Sequence, residues 1–243
     1  MLQKTRAIVL HTLRHTDAAV VVHAYTEVAG RAAFLVYVSR SKRSKVRPAV
    51  LQPLALVELE ADLRATTTLQ RVKEARVVHP LTSLPYDPRK AAVAMYLAEF
   101  LYRVLQEQTA NKALFDYLWQ SVAYLDACRQ GVANFHLAML LRLSLLLGLY
   151  PNLEGCTPST CFDLMAGCYT PQPPSRHVYY LQPAEAVRIP VLMRMNYRNM
   201  HLFKMNREQR QRCLAVIQDY YRLHLPGLPE LRSAEVLKAL FDN

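Results

Sequence analysis

Glycine is scarce in this chain, six among 243 residues. A protein that cradles phosphate on backbone N–H groups needs a glycine-rich loop, and neither G-x-x-x-x-G-K-S/T nor G-x-G-x-x-G occurs. The G-x-S-x-G elbow and the H-E-x-x-H helix are also missing. The eight histidines are scattered singly, so no general base is visibly paired with a nucleophile. Nucleotide hydrolysis is set aside, and we expect a non-enzymatic protein without a cofactor. Long apolar runs are missing too. The longest, Leu137 to Tyr150, is interrupted by Arg142 and falls short of the roughly 20 residues that cross a bilayer. The opening MLQKTRAIVL is followed by no small-residue cleavage site. The expectation is a soluble, cytoplasmic protein without a membrane partner. Five cysteines, an odd number at irregular spacing, give no disulfide framework and read as reduced thiols.

Acid is absent where base is densest. The run SRSKRSKVR from Ser39 to Arg47 holds Arg40, Lys42, Arg43, Lys45 and Arg47 and no carboxylate. It follows the alternating stretch Ala33 to Val38, so a strand delivers five cations to one loop. Of the formal net charge of +11, residues 1–80 carry +7 (13 Lys/Arg against 6 Asp/Glu) and the other 163 carry +4 (17 against 13). Such a concentration neutralises phosphates and releases counterions without reading sequence. Solvated charge clusters also keep proteins soluble, but the local excess favours a polyanion partner.

The hydrophobic period changes once along the chain. Five stretches rich in β-branched and aromatic residues precede residue 80: Thr5–Leu13, Ala18–Glu27, Arg31–Ser39, Leu51–Asp62 and Thr68–Val78. Ala29-Gly30 fits a tight hairpin between the second and third. A small barrel follows from this count, and a five-stranded oligonucleotide-binding (OB) barrel would present a basic face to a nucleic acid strand. The three prolines of HPLTSLPYDP, residues 79–88, mark a boundary. Helical spacing then runs over Arg89–Gln108. Asn111 caps a second helix to about Cys128, and a third follows Gly131 up to Gly148. Residues 151–190, rich in proline and holding three cysteines, read as an irregular insert. Asn206 with Gln209 resembles a capping box opening Arg207–Leu225, and Ser233 can cap a last helix through Phe241. The expected fold is therefore α+β, with a barrel domain at 1–80 and an α-helical domain at 81–243 that carries an irregular cysteine-bearing insert. We see no internal repeat.

Three other clusters are candidates for chemistry. Cys156, Cys161, Cys168 and His177 are separated by four, six and eight residues. Structural zinc uses close cysteine pairs that aim two sulfurs at one point, so the reading is against a metal site here. Cys128 and Cys213 sit on apolar helical faces and read as core. Glu58, Glu60 and Asp62 alternate with Val57 and Leu59, which places them on the solvent side of a strand. Between Arg188 and Arg212 lie seven cations against Glu208 alone, with Tyr197 and Phe203 interleaved. From this cluster Arg194, Arg198, Lys204 and Arg207 are a candidate secondary DNA contact.

The chain resembles the bacterial RecO family of recombination mediators. The resemblance runs in order through TRAIVLHTLRHTDAAVVVHAYTEVAGR, SRSKRSKVRPAVLQPLALVELE, AEFLYRVL and CFDLMAGCYTPQPPSRHVYY, covering essentially residues 1–240. It implies an OB barrel joined to an α-helical domain. It implies binding of single- and double-stranded DNA, annealing of complementary strands, and action with RecR to help RecA load on DNA coated by single-stranded-DNA-binding protein. The location it implies is cytoplasmic and nucleoid-associated. Arg40, Lys42, Arg43, Lys45 and Arg47 match the family's DNA-contacting element. Some members carry a four-cysteine zinc module; the three irregular cysteines here are similar to members that lack bound zinc. The family's helical domain docks the acidic, hydrophobic tail of single-stranded-DNA-binding protein, for which Arg103, Arg129 and Arg142 are the cations available on the first helices. Two other classes are distinguishable by simple assays. A sequence-specific DNA-binding regulator would prefer one operator over random duplex, and a zinc or thiol protein would carry stoichiometric metal.

Overall fold

The computed structural model describes residues 2–37, 51–63 and 67–240. Two compact units divide it. One runs to Cys128 and takes back the chain from Leu231; the other is Arg129–Glu230.

The first unit is built on a closed barrel of β1 (Leu2–Arg14), β2 (Ala19–Thr26), β3 (Gly30–Tyr37), β4 (Leu56–Asp62) and β5 (Leu69–His79). Its strand order is β1-β2-β3-β5-β4, antiparallel except for the parallel pairing of β3 with β5, which is the OB arrangement. β1 closes the barrel because its 13 residues serve two partners. Its first half, Leu2 to Ile8, pairs with β4, and its second half, Ala7 to Arg14, with β2. Alternation puts Val9, Val22, Phe34, Val57 and Leu59 inside, with Ala7, Ala24, Ala61 and Ala75 between them. Small residues beside branched ones let a narrow barrel fill without voids.

The fourth strand begins at Leu56, five residues later than the apolar pattern suggests. Pro53 cannot donate to a ladder, and Leu54 takes a left-handed conformation at φ 59°. That conformation costs about 1–2 kcal/mol for a non-glycine residue. It is held by complete burial of the side chain and by hydrogen bonds from Leu54 N to Val9 O (2.8 Å) and from Val9 N to Ala55 O (3.1 Å).

Three helices complete this unit: α1 (Pro88–Val104), α2 (Lys112–Ala127) and α7 (Ser233–Leu240). The proline-rich segment before α1 is tied down within it. The Asp126 carboxylate accepts from the backbone N–H groups of Thr82, Ser83 and Leu84, and buried Lys90 donates to Ser83 Oγ and to Asp126 O. Asn111 caps α2 as its sequence suggests. α1 ends at Val104, short of Gln108. The Arg31 guanidinium takes the carbonyls of Tyr102 and Leu105, and Arg31 N donates to Glu107 O. Gly30 at φ +60° lies so close that an added Cβ would stand 2.4 Å from Thr109 O, so the hairpin residue must be glycine. The cap of α7 also differs from expectation. Ser233 is its first residue, and the Glu99 carboxylate accepts from the N–H of Arg232 and of Ser233.

The second unit is built around α3 (Val132–Leu146), buried along most of its length. Around it lie a three-stranded sheet of β6 (Cys161–Asp163), β7 (Cys168–Thr170) and β8 (Tyr180–Leu181), the short helices α4 (Pro183–Ala186) and α5 (Ile189–Leu192), and α6 (Arg207–His224). The segment that reads as irregular is therefore an ordered small sheet over Phe162, Leu164, Leu181 and Ala186. Strands of two or three residues show no period. The capping box of Asn206 and Gln209 opens α6 as expected, and Tyr221 donates its hydroxyl to Leu140 O at 2.9 Å.

Candidate nucleic-acid interface

The five cations of the basic run, Arg40, Lys42, Arg43, Lys45 and Arg47, lie outside the described residues, beyond Tyr37 at the end of β3. What the structure supplies is the barrel surface from which β3 emerges.

Strand alternation assigns that surface. Val22, Ala24, Phe34 and Val36 point inward, so Val21, His23, Ala33, Leu35 and Tyr37 point outward. A register shift between Val9 and His11 interrupts the alternation of β1. The bulge turns His11 outward, directly opposite His23. Beyond this pair, Leu13 faces Val21, Val21 faces Leu35, and Leu35 faces Arg71. Ala19 faces Tyr37, which is 62% exposed. No acidic residue points outward from β1, β2 or β3. Asp17 and Glu27, at the two hairpins, are bound by Arg14 and Arg6.

Tyr102 of α1 closes one end of this surface. Its ring centroid lies 4.7 Å from that of His11 and 5.1 Å from that of His23, with the two imidazoles 6.4 Å apart. Arg31 stands over the tyrosine ring at 4.4 Å and Arg103 at 5.3 Å. Burial, with Arg103 and Arg31 nearby, holds His11 below the usual histidine range; burial, then Arg31 and His11, does the same to His23. Sequence reading missed this cluster because only the bulge puts residues 11 and 23 on one face.

The second basic cluster divides by environment. Arg188, Arg194, Arg198, Lys204 and Arg207 are exposed. Arg210 is part of the interior of its unit: its Nε donates to Asn134 Oδ1 at 3.0 Å and its Nη2 to Met205 O. Arg212 grips Glu185 with two hydrogen bonds of 2.6 and 2.8 Å. Tyr197 stacks on Phe135 at 4.8 Å and 5°. It therefore packs the unit, which removes it as a base-stacking partner for the neighbouring cations.

The same unit contains a cleft of about 610 Å³. Leu137, Leu140, Val216 and Ile217 are among its apolar lining residues, and Arg188 and Lys204 among its charged ones. Of the cations available on the early helices, Arg103 is exposed on α1, Arg142 is exposed on α3, and Arg129 lies between α2 and α3.

The cysteine-bearing segment does not assemble a metal site. Cys161 is buried in β6 and Cys168 lies opposite Asp163, while His177 Nε2 sits 3.4 Å from Asp163 Oδ2. No group of three or more His, Cys, Asp or Glu side chains converges among the described residues, so the residues present do not fit a four-ligand zinc module. Burial raises the thiols of Cys128 and Cys213, which disfavours the reactive thiolate. Glu58 and Glu60 pair across the strands with Arg76 and Lys73, as solvent-side carboxylates do. No described helix is long and apolar enough to cross a membrane.

Comparison with known proteins matches both parts of the chain in order. The family model "Recombination protein O N terminal" covers residues 1–81, and "Recombination protein O C terminal" covers residues 85–234. The chain belongs to the RecO family. The protein named DNA repair protein RecO in Bacteroides fragilis is 54% identical over 242 residues, spanning 100% of both chains. Its namesake in Phocaeicola vulgatus is 51% identical over the same span, and that of Porphyromonas gingivalis 33% identical over 247 residues, again across 100% of each. Membership makes the acid-free barrel face and the basic run parts of a DNA repair protein. The family models meet between residues 81 and 85, where strand gives way to helix, whereas the compact units divide after Cys128.

Proposed function

We propose that this chain is a non-catalytic recombination mediator, cytoplasmic and nucleoid-associated. It binds single- and double-stranded DNA, anneals complementary strands and, with RecR, assists loading of RecA onto DNA coated by single-stranded-DNA-binding protein. The observation that carries this reading is a closed OB barrel whose third strand leads, past an outward face without acid, into five cations. Arg40, Lys42, Arg43, Lys45 and Arg47 are the primary phosphate contacts, and Arg194, Arg198, Lys204 and Arg207 a secondary one.

The mechanism is electrostatic. Complementary strands repel each other, and a surface that neutralises phosphates while leaving base edges free lowers the cost of their meeting. Sequence is then read by the DNA itself. In this reading the barrel carries the primary DNA contact, and the helical part engages proteins and the secondary DNA contact. The apolar cleft with Arg188 and Lys204 has the chemistry to take the acidic, hydrophobic tail of single-stranded-DNA-binding protein.

The test is strand annealing followed by fluorescence, with and without single-stranded-DNA-binding protein. Replacing Arg40, Lys42, Arg43, Lys45 and Arg47 together by alanine is expected to slow annealing at least tenfold while the far-UV spectrum is retained. Annealing at the wild-type rate across a salt series would remove the run from the mechanism.

A further inference from the structure

The cluster of His11, His23 and Tyr102 calls for an explanation beyond packing, because two imidazoles and a phenol are gathered on a partly open, largely aliphatic face. Each ring reaches the position by a separate device: His11 through the bulge of β1, His23 through alternation of β2, and Tyr102 from the last turn of α1. All three remain partly accessible. The adjoining rows of Leu13, Val21, Leu35 and Tyr37 extend the surface toward the end of β3, where the basic run begins.

Charge around the imidazoles is mostly positive. The groups facing the imidazoles are Arg103 and Glu99 from α1 and Arg31 from β3, together with each other. Arg31 is committed to carbonyls of α1 and its following loop, and Glu99 to the first turn of α7. Arg103 is exposed, with no carboxylate at ion-pair distance among the described residues. Flat rings beside an available cation, with the one nearby acid, Glu99, engaged by Ser233, suit the bases and phosphates of an extended strand.

We propose that His11, His23 and Tyr102, with Arg103 at their edge, form a seat for a single strand of nucleic acid. The seat rests on the DNA-binding reading given above. Bases pack against the accessible parts of the imidazoles, which Tyr102 holds in place, and a backbone phosphate lies against Arg103 and the imidazoles. The seat is also coupled to protons. In the free protein the imidazoles resist protonation, being partly buried beside cations. A bound phosphate offsets those cations, so the complex holds protons that the free protein does not. Affinity for a single strand therefore rises as pH falls through the histidine range.

The experiment measures binding of fluorescent oligothymidylate by anisotropy from about pH 8 to about pH 6, using the whole chain. The variants are His11→Gln with His23→Gln, and His79→Gln, which removes an exposed histidine at the end of β5 outside the seat. At the upper pH the double variant is expected to bind a few-fold more weakly than wild type. As pH falls the gap should widen, by at most about tenfold per pH unit for each proton taken up, while His79→Gln follows wild type throughout. Thermal melting at the upper pH checks that the double variant is folded. Parallel pH profiles for wild type and a folded double variant overturn the seat and leave the DNA-binding reading intact. Failure of the wild type to bind oligothymidylate at any pH overturns both. Should the double variant not fold, His11→Asn and His23→Asn made singly must each flatten the profile, and a full wild-type slope in both overturns the seat.

Discussion

The barrel unit and the Arg129–Glu230 unit both carry arginine-rich surfaces, yet they hold their cations differently. On the outward face of β1, β2 and β3, the acids at the hairpins are each taken by a local partner, Glu27 by Arg6 and Asp17 by Arg14. The face between is left acid-free. In the second unit the cluster that looks uniform in sequence contains two kinds of arginine. Arg210 and Arg212 are spent on Asn134, Met205 and Glu185, whereas Arg194 and Arg198 are exposed. Charge density therefore locates a nucleic-acid surface only after the structural cations have been subtracted.

The largest effect that tests this contrast is on stability. Arg210→Met keeps much of the aliphatic packing but leaves Asn134 Oδ1 and Met205 O without the guanidinium. Hydrogen bonds to a charged group contribute about 1.5–3 kcal/mol each; water reaching the half-buried site offsets part of the two, and we expect a net loss of about 2 kcal/mol. Urea unfolding measures it; a midpoint equal to wild type would place Arg210 among the DNA cations after all. A smaller effect is expected from Arg194→Ala, Arg198→Ala, Lys204→Ala and Arg207→Ala combined. Duplex and single-strand affinity should fall a few-fold, less than on removal of the basic run, with the unfolding midpoint changed by no more than about 0.5 kcal/mol in stability. A drop exceeding that of the basic run would reverse the ranking of the two surfaces.

Much of the fold was legible because its signals are local. Alternation over five short segments gives the barrel strands, and Asn111 and the Asn206–Gln209 pair mark helix starts that the structure keeps. Signals that depend on distant partners were not legible. α1 stops at Val104 because Arg31 and Gly30, far back in sequence, engage the chain beyond it. α7 is capped by Glu99, more than a hundred residues away. β4 starts late because Pro53 and Leu54 form a turn that buries the Leu54 side chain and hydrogen-bonds to β1. For the site, charge located the basic run directly. The His11–His23 pair stayed hidden, since a single-residue bulge reverses which side of a strand faces out.

The salt dependence of single-strand binding tests the central claim most directly. If phosphate neutralisation by Arg40, Lys42, Arg43, Lys45 and Arg47 drives binding, replacing them with alanine lowers the slope of log affinity against log salt by about 0.7 for each single-strand phosphate no longer neutralised. The account predicts a clearly shallower line for the five-fold variant, approaching wild type only at high salt. Two parallel lines, offset or coincident, would contradict it.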